Sequence, residues 1–186
     1  ELEVPPDTLA NLGDADIIEP EEYPPAAVRA LEIAREAGAT TILNPAPAAA
    51  LDAGLFSLCD YLTPNETEAE DLTGIKVDTA EEARLAAQSL MDKGAGAAII
   101  TLGEQGAYLH NNEISELCPA FEFAPVVETT GAGDAFNGAF AVALARGDAA
   151  LEAVRYACTV AGISVTRPGT AQSMPSHREV QEALGG

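Results

Sequence analysis

Glu128-Thr129-Thr130-Gly131-Ala132-Gly133-Asp134-Ala135-Phe136-Asn137-Gly138 is the stretch on which the fold and the chemistry turn. The apolar run before it, Phe121 to Val127, predicts a strand, and the run after it predicts a helix to about Ala145. Two glycines flanking one alanine at a strand-to-helix passage let consecutive N–H groups point at an anion. The positive end of the helix stands behind them. An acidic residue directly after such a nest would repel a phosphate that is merely bound. It makes sense where the carboxylate does chemistry: beside a transferable phosphate, Asp134 can accept a proton from an attacking hydroxyl. The amides of Gly131, Ala132 and Gly133 would then stabilise charge on the moving phosphoryl group. Short glycine motifs also occur in ordinary strand–helix turns, where Asp134 would only favour the helix N-terminus, and spacing leaves both readings open.

Outward from this stretch the chain alternates between helical and strand patterns, which predicts an α/β fold, read as a single domain over residues 1–186. Upstream, Ala27, Val28, Ala30, Leu31 and Ala34 form a helical stripe stopped at Gly38. Thr40–Leu43 and Cys59–Thr63 read as short buried strands. Thr79 and Glu82 have capping-box spacing, and Ala83, Ala86, Ala87 and Leu90 follow at helical intervals. Ala97–Thr101 is a continuous apolar strand. Ala107–Leu109, a turn at Asn111-Asn112, and Ile114 read as a hairpin. Downstream, Gly147-Asp148 separates the first helix from one striped by Leu151, Val154, Cys158 and Ala161, where Cys158 reads as core packing. Ser176 and Glu179 repeat the capping-box spacing before a last short helix. The acidic, proline-containing segment from Asn11 to Tyr23 reads as a loop. His110 and His177 stand in exposed-looking turn and cap contexts and receive no role.

Composition narrows the partners. A formal charge of −21, with Lys76 and Lys93 the only lysines, repels nucleic acid and anionic membranes. It reads either as solubilising charge or as adaptation to high salt, where cations screen the self-repulsion. A phosphate substrate would need local relief from this field through backbone N–H groups and metal ions. Cys59, Cys118 and Cys158 are odd in number and lack CxxC spacing, against a disulfide framework or zinc site and in favour of a reducing cytoplasm. No apolar run reaches the roughly 18 residues of a membrane span. The chain opens at Glu1 with no initiator Met and no basic-then-apolar leader, and reads as continuing upstream.

Several motifs stand in register. Asn44-Pro45-Ala46-Pro47-Ala48, Thr63-Pro64-Asn65-Glu66-Thr67-Glu68-Ala69-Glu70 and Leu72-Thr73-Gly74 resemble the ribokinase family of sugar kinases. Thr101-Leu102-Gly103-Glu104-Gln105-Gly106 resembles that family's nucleotide-binding loop, and Thr129–Gly138 its catalytic signature. The resemblance runs from about residue 41 to 186. It implies the C-terminal part of a ribokinase-like three-layer sandwich, with the N-terminal strands, the β-lid and most of the sugar pocket missing.

By that resemblance Asp134 is the general base for a sugar's primary hydroxyl and contacts both substrates. Gly131, Ala132 and Gly133 form the anion hole. Asn65 and the loop Thr101, Leu102, Gly103, Glu104, Gln105 and Gly106 contact ATP, and Glu68 organises Mg²⁺ through water. Asn65 and Glu68 equally fit a capping box, and both roles can coexist at a helix start. Glu128, Thr130, Ser164, Arg167, Gly169 and Ser173 match a monovalent-cation site for K⁺. Glu128 departs from the family's usual Asp there, and Arg167 reads equally as a helix cap or the partner of a surface acid. D-ribose and ATP are the implied partners, with 2-keto-3-deoxygluconate, fructose phosphate or a nucleoside as alternative acceptors. A noncatalytic nucleotide-binding fragment is the reading from another class. Relatives often pair through the lid, so a homodimer is expected only of a full-length form. The 186 residues alone are expected to phosphorylate ribose poorly.

Overall fold

The computed structural model describes residues 25–46, 51 and 53–185; the segment read as a loop, Asn11 to Tyr23, lies outside them. Helix α1 (Pro25–Glu36) starts on a proline, tolerated where an N–H would lack a helical acceptor, and ends before Gly38, whose φ is 72°. There follow β1 (Ile42–Leu43), α2 (Ala53–Phe56), β2 (Tyr61–Leu62), α3 (Glu66–Thr73), α4 (Ala80–Asp92) and β3 (Ala98–Thr101). A single tight turn at Gly103–Gln105 leads to the hairpin of β4 (Ala107–His110) and β5 (Ser115–Cys118). Helices α5 (Ala132–Ala145), α6 (Ala150–Ser164) and α7 (His177–Ala183) complete the order.

The sheet runs β1-β2-β3-β4-β5, with β1, β2 and β3 parallel and the hairpin antiparallel. Side chains alternate across a strand, and the two cores follow that alternation. Ile99, Ala107 and Leu109 face a core built with α5, α6 and Val180 of α7. Ala98, Ile100 and Tyr108 face the other, built with α2, Ala69 of α3, and α4. Helix, sheet and helix make three layers, as the family resemblance implied. With no Trp, the aromatic share of the core is small, but Phe140 is fully buried and meets Tyr61 edge-on at 5.0 Å. Burying such a side chain contributes on the order of 2–3 kcal/mol.

Two expectations are corrected here. Phe121 to Val127 forms no strand of the sheet. It crosses α6 instead: a Cβ at Gly162 would collide with the Phe121 carbonyl, and the Val127 N–H donates to the Val165 carbonyl at 2.8 Å. Its apolar residues therefore do not mark a ladder; Val126 and Val127 are 65% and 60% exposed. His110 is buried rather than exposed, held between Ser115 Oγ on Nδ1 and Gln88 Oε1 on Nε2, each at 2.9 Å. Burial, helped by the Arg84 charge, lowers its pKa below 6.5. His177 is exposed, and Cys158 packs in the core beside α5 and β4.

Candidate active site

Three parallel strands point the same way, so the segments after them emerge at one end of the sheet. These are Asn44-Pro45, Thr63-Pro64-Asn65 and Leu102–Gly106. In open α/β sheets ligands bind in the crevice at this carboxyl end. The N-terminus of α5 is tied to the same end by a chain of side-chain bonds. Asn44 Nδ2 donates to the Thr63 carbonyl at 2.8 Å, and Thr63 Oγ1 donates to Asn137 Oδ1 at 2.6 Å. Asn137 Nδ2 then donates to the Gly133 carbonyl at 2.9 Å. Sequence reading assigned none of these three a role. Thr63 and Asn137 are 74 residues apart, and no local pattern announces their contact.

Gly131 caps α5 with φ 80°, a left-handed conformation that favours glycine, and makes no side-chain cap. A Cβ there would stand 3.2 Å from Thr170, so the loop after α6 closes against the turn. Gly133 differs: its φ is not positive, it is exposed, and a Cβ would meet nothing within 4 Å. Asp134 is exposed on the same first turn, where N–H groups have no intrahelical acceptor. The Ala132 N–H donates to the Thr129 carbonyl at 3.1 Å, so the turn is open to solvent at Gly133, with a carboxylate at its rim.

The second motif packs beside the third. Asn65 pairs with Thr101 in an isolated parallel bridge, and the Thr101 N–H donates to the Pro64 carbonyl at 3.0 Å. In the loop, Gly103, Glu104 and Gln105 are exposed. Leu102 is 3% exposed and belongs to the core, which leaves only its backbone for a ligand. Gly106 has φ 107°, and a Cβ there would collide with the Cys118 carbonyl and the Ala120 amide, so only glycine closes this turn. Asn65 and Glu68 form the reciprocal capping box, each accepting the other's N–H at 2.9 Å. Burial raises the Glu68 pKa, the Asn65 N–H opposes that, and Asp71 and Glu66 raise it further.

The residues read as a cation site are brought together in part. Glu128 Oε2 accepts the Gly169 N–H at 2.8 Å. Ser173 is buried, with its hydroxyl donating to the Thr170 carbonyl at 2.6 Å. Thr130 is exposed beside Gly131. The Ser164 hydroxyl is spent on the Ala161 carbonyl of its own helix, and the Arg167 guanidinium holds Glu179 at 2.6 Å. Of these six residues Glu128 is the one anionic oxygen donor, with one carboxylate oxygen held by the Gly169 N–H. No cluster of three or more His, Cys, Asp or Glu side chains occurs among the described residues. Apart from this site, a cavity of about 490 Å³ lined by Arg35, Thr40, Asp60, Tyr61 and Leu144 opens at the amino ends of β1 and β2.

Comparison with known proteins places the chain among sugar kinases. The chain is 42% identical to a ribokinase of Haemophilus influenzae over 155 residues, covering 83% of this chain and 50% of that protein. It is 42% identical to a deoxyribokinase of Salmonella typhimurium over 156 residues, covering 83% and 51%. An Arabidopsis thaliana ribokinase solved with ribose and ATP superposes with a TM-score of 0.81 at 32% identity, over 84% of this chain and 51% of that one. The chain spans about half the length of the curated relatives it matches. The pfkB family carbohydrate kinase model matches residues 11–177, and the chain belongs to that family.

Proposed function

We propose that the protein transfers the γ-phosphate of ATP to the primary hydroxyl of a sugar, D-ribose first, giving D-ribose 5-phosphate and ADP. The observation that carries the reading is the gathering, at the carboxyl end of the parallel strands, of an open glycine cradle, an exposed Asp134 and the Thr101–Gly106 loop. Asp134 takes the proton as the sugar oxygen attacks the γ-phosphorus in line and ADP leaves. The amides of Gly131 and Gly133, joined by that of Ala132 if it leaves the Thr129 carbonyl, receive the charge that builds on the phosphoryl oxygens. Asn65 and the loop from Thr101 to Gly106 hold the nucleotide, Leu102 through its backbone. Glu68 would orient a water of the Mg²⁺ that travels with the phosphates, and Glu128 with nearby carbonyls would hold K⁺ under the cradle. Both ions would supply charge neutralisation.

The relatives include a deoxyribokinase, so ribose and deoxyribose are the acceptors to compare. Because the chain spans half of those relatives, the 186 residues alone are expected to turn over sugar slowly. In-line positioning of the hydroxyl is a large part of such catalysis. The test is sugar-dependent ADP release by the protein and by its Asp134→Ala variant. Turnover should fall by about 10²–10⁴ while MgATP affinity stays within a few-fold. Near-normal turnover would remove Asp134 from its role.

A further inference from the structure

The three segments that make the candidate site hold five carboxylates and no cation. Glu66, Glu68, Glu104, Glu128 and Asp134 fall in Asn65–Glu68, Thr101–Gly106 and Glu128–Asp134, which contain no Lys, Arg or His. The cationic side chains are committed elsewhere. Every Lys and Arg of the chain lies among the described residues, and all but Lys93 hold a carboxylate at 2.6–3.8 Å. Lys93 ends α4, with its ammonium over the Phe56 ring at 5.8 Å. Arg167, closest in sequence to the Glu128–Gly169 contact, is tied to Glu179. The whole chain, these five carboxylates included, carries a formal charge of −21.

Sites that hold phosphates with Lys and Arg weaken as salt rises, because salt screens an attraction. Here the side-chain field is repulsive, and only backbone N–H groups and ions oppose it. We propose that dissolved cations admit the nucleotide: affinity for MgATP rises with monovalent salt, the inverse of ordinary phosphate binding. The inference rests on the nucleotide reading above and adds the control of that site. The screening length shortens from about 30 Å at 0.01 M to about 3 Å at 1 M, so the effect is set by ionic strength rather than by one coordinated ion. Sodium and tetramethylammonium chlorides should therefore raise the affinity as well, with potassium adding at most the filling of its own coordinated site. Adenosine, which carries no phosphate and no charge, should be nearly indifferent.

The experiment titrates the 186-residue chain with MgATP and with adenosine by calorimetry, across about 0.1–2 M of each chloride. Far-UV circular dichroism restricts the comparison to concentrations at which the chain is folded. A Gln105→Lys variant places one ammonium in the exposed loop. MgATP affinity should rise about tenfold or more across the range in all three salts, with adenosine changing less than about twofold. Gln105→Lys should bind MgATP more tightly at the low end and respond less to salt. A MgATP affinity that is flat or falls with salt, while adenosine binds, overturns the proposal and leaves the nucleotide site standing. A gain confined to potassium assigns the effect to a coordinated ion and overturns it too. If neither ligand binds at any salt, the nucleotide reading itself fails, and this inference with it.

Discussion

Gly133→Ala should separate folding from function in opposite directions. Gly133 is the second residue of α5, its φ is not positive, and a Cβ there would touch nothing within 4 Å. Alanine restricts the unfolded chain and suits a helix better, which stabilises by about 0.5–1 kcal/mol where the native backbone accepts it. The same methyl would stand where a phosphate must approach the first-turn amides. Losing one hydrogen bond to a charged group costs about 1.5–3 kcal/mol. At about 1.4 kcal/mol per decade, MgATP should bind roughly ten- to hundredfold more weakly. Gly131→Ala is the contrast. Its φ of 80° and the 3.2 Å approach of Thr170 oppose a side chain, so it should lose stability, by about 1–2 kcal/mol for the left-handed backbone. Urea unfolding reports stability and calorimetry reports MgATP affinity, both at one fixed salt concentration. A Gly133→Ala protein that is more stable and binds MgATP as the parent does would refute the cradle.

Three further outcomes follow from the same contacts. Thr63→Val and Asn137→Ala each break the 2.6 Å bond that ties α5 to the sheet, so a double-mutant cycle should show about 1 kcal/mol of coupling in urea unfolding; additive losses would deny the bond. Gly106→Ala meets both a φ of 107° and backbone atoms of Cys118 and Ala120, and should lower stability by about 3 kcal/mol or more, seen as a lower urea midpoint. Burial lowers the His110 pKa, so the unfolded state takes up the proton first: stability should be full above pH 6.5 and decline as pH falls below it. His110→Gln should lose less stability between neutral and mildly acid pH than the parent, and an equal loss would point to other groups.

How much could be read in advance depended on range. Capping boxes at Asn65/Glu68 and Ser176/Glu179 lie within one turn, and both formed as read. The apolar run at Ala97–Thr101 reads as a strand, and β3 is one residue shorter. Phe121–Val127 misled because an apolar segment can cover a helix as well as join a sheet; its packing against Gly162 depends on a backbone approach that no periodicity encodes. His110 misled because the turn beside it is exposed while its own ring is held by Gln88, 22 residues away. In the site, the glycines and Asp134 stood out as a motif. The Asn44–Thr63–Asn137 chain that aligns them, and the Thr170 contact behind Gly131, join residues distant in sequence. Leu102 was grouped with the nucleotide loop, whereas its side chain anchors that loop in the core.

Backbone amide shifts on adding MgATP test most directly whether the phosphates sit at the start of α5. In a ¹⁵N-labelled sample at high salt, the largest shifts should fall on Gly131 to Asp134 and on Thr101 to Gly106, at the carboxyl end of the strands. Shifts centred instead on the cavity lined by Arg35, Thr40, Asp60 and Tyr61, at the opposite end of the sheet, would contradict that placement and the role of Asp134 with it.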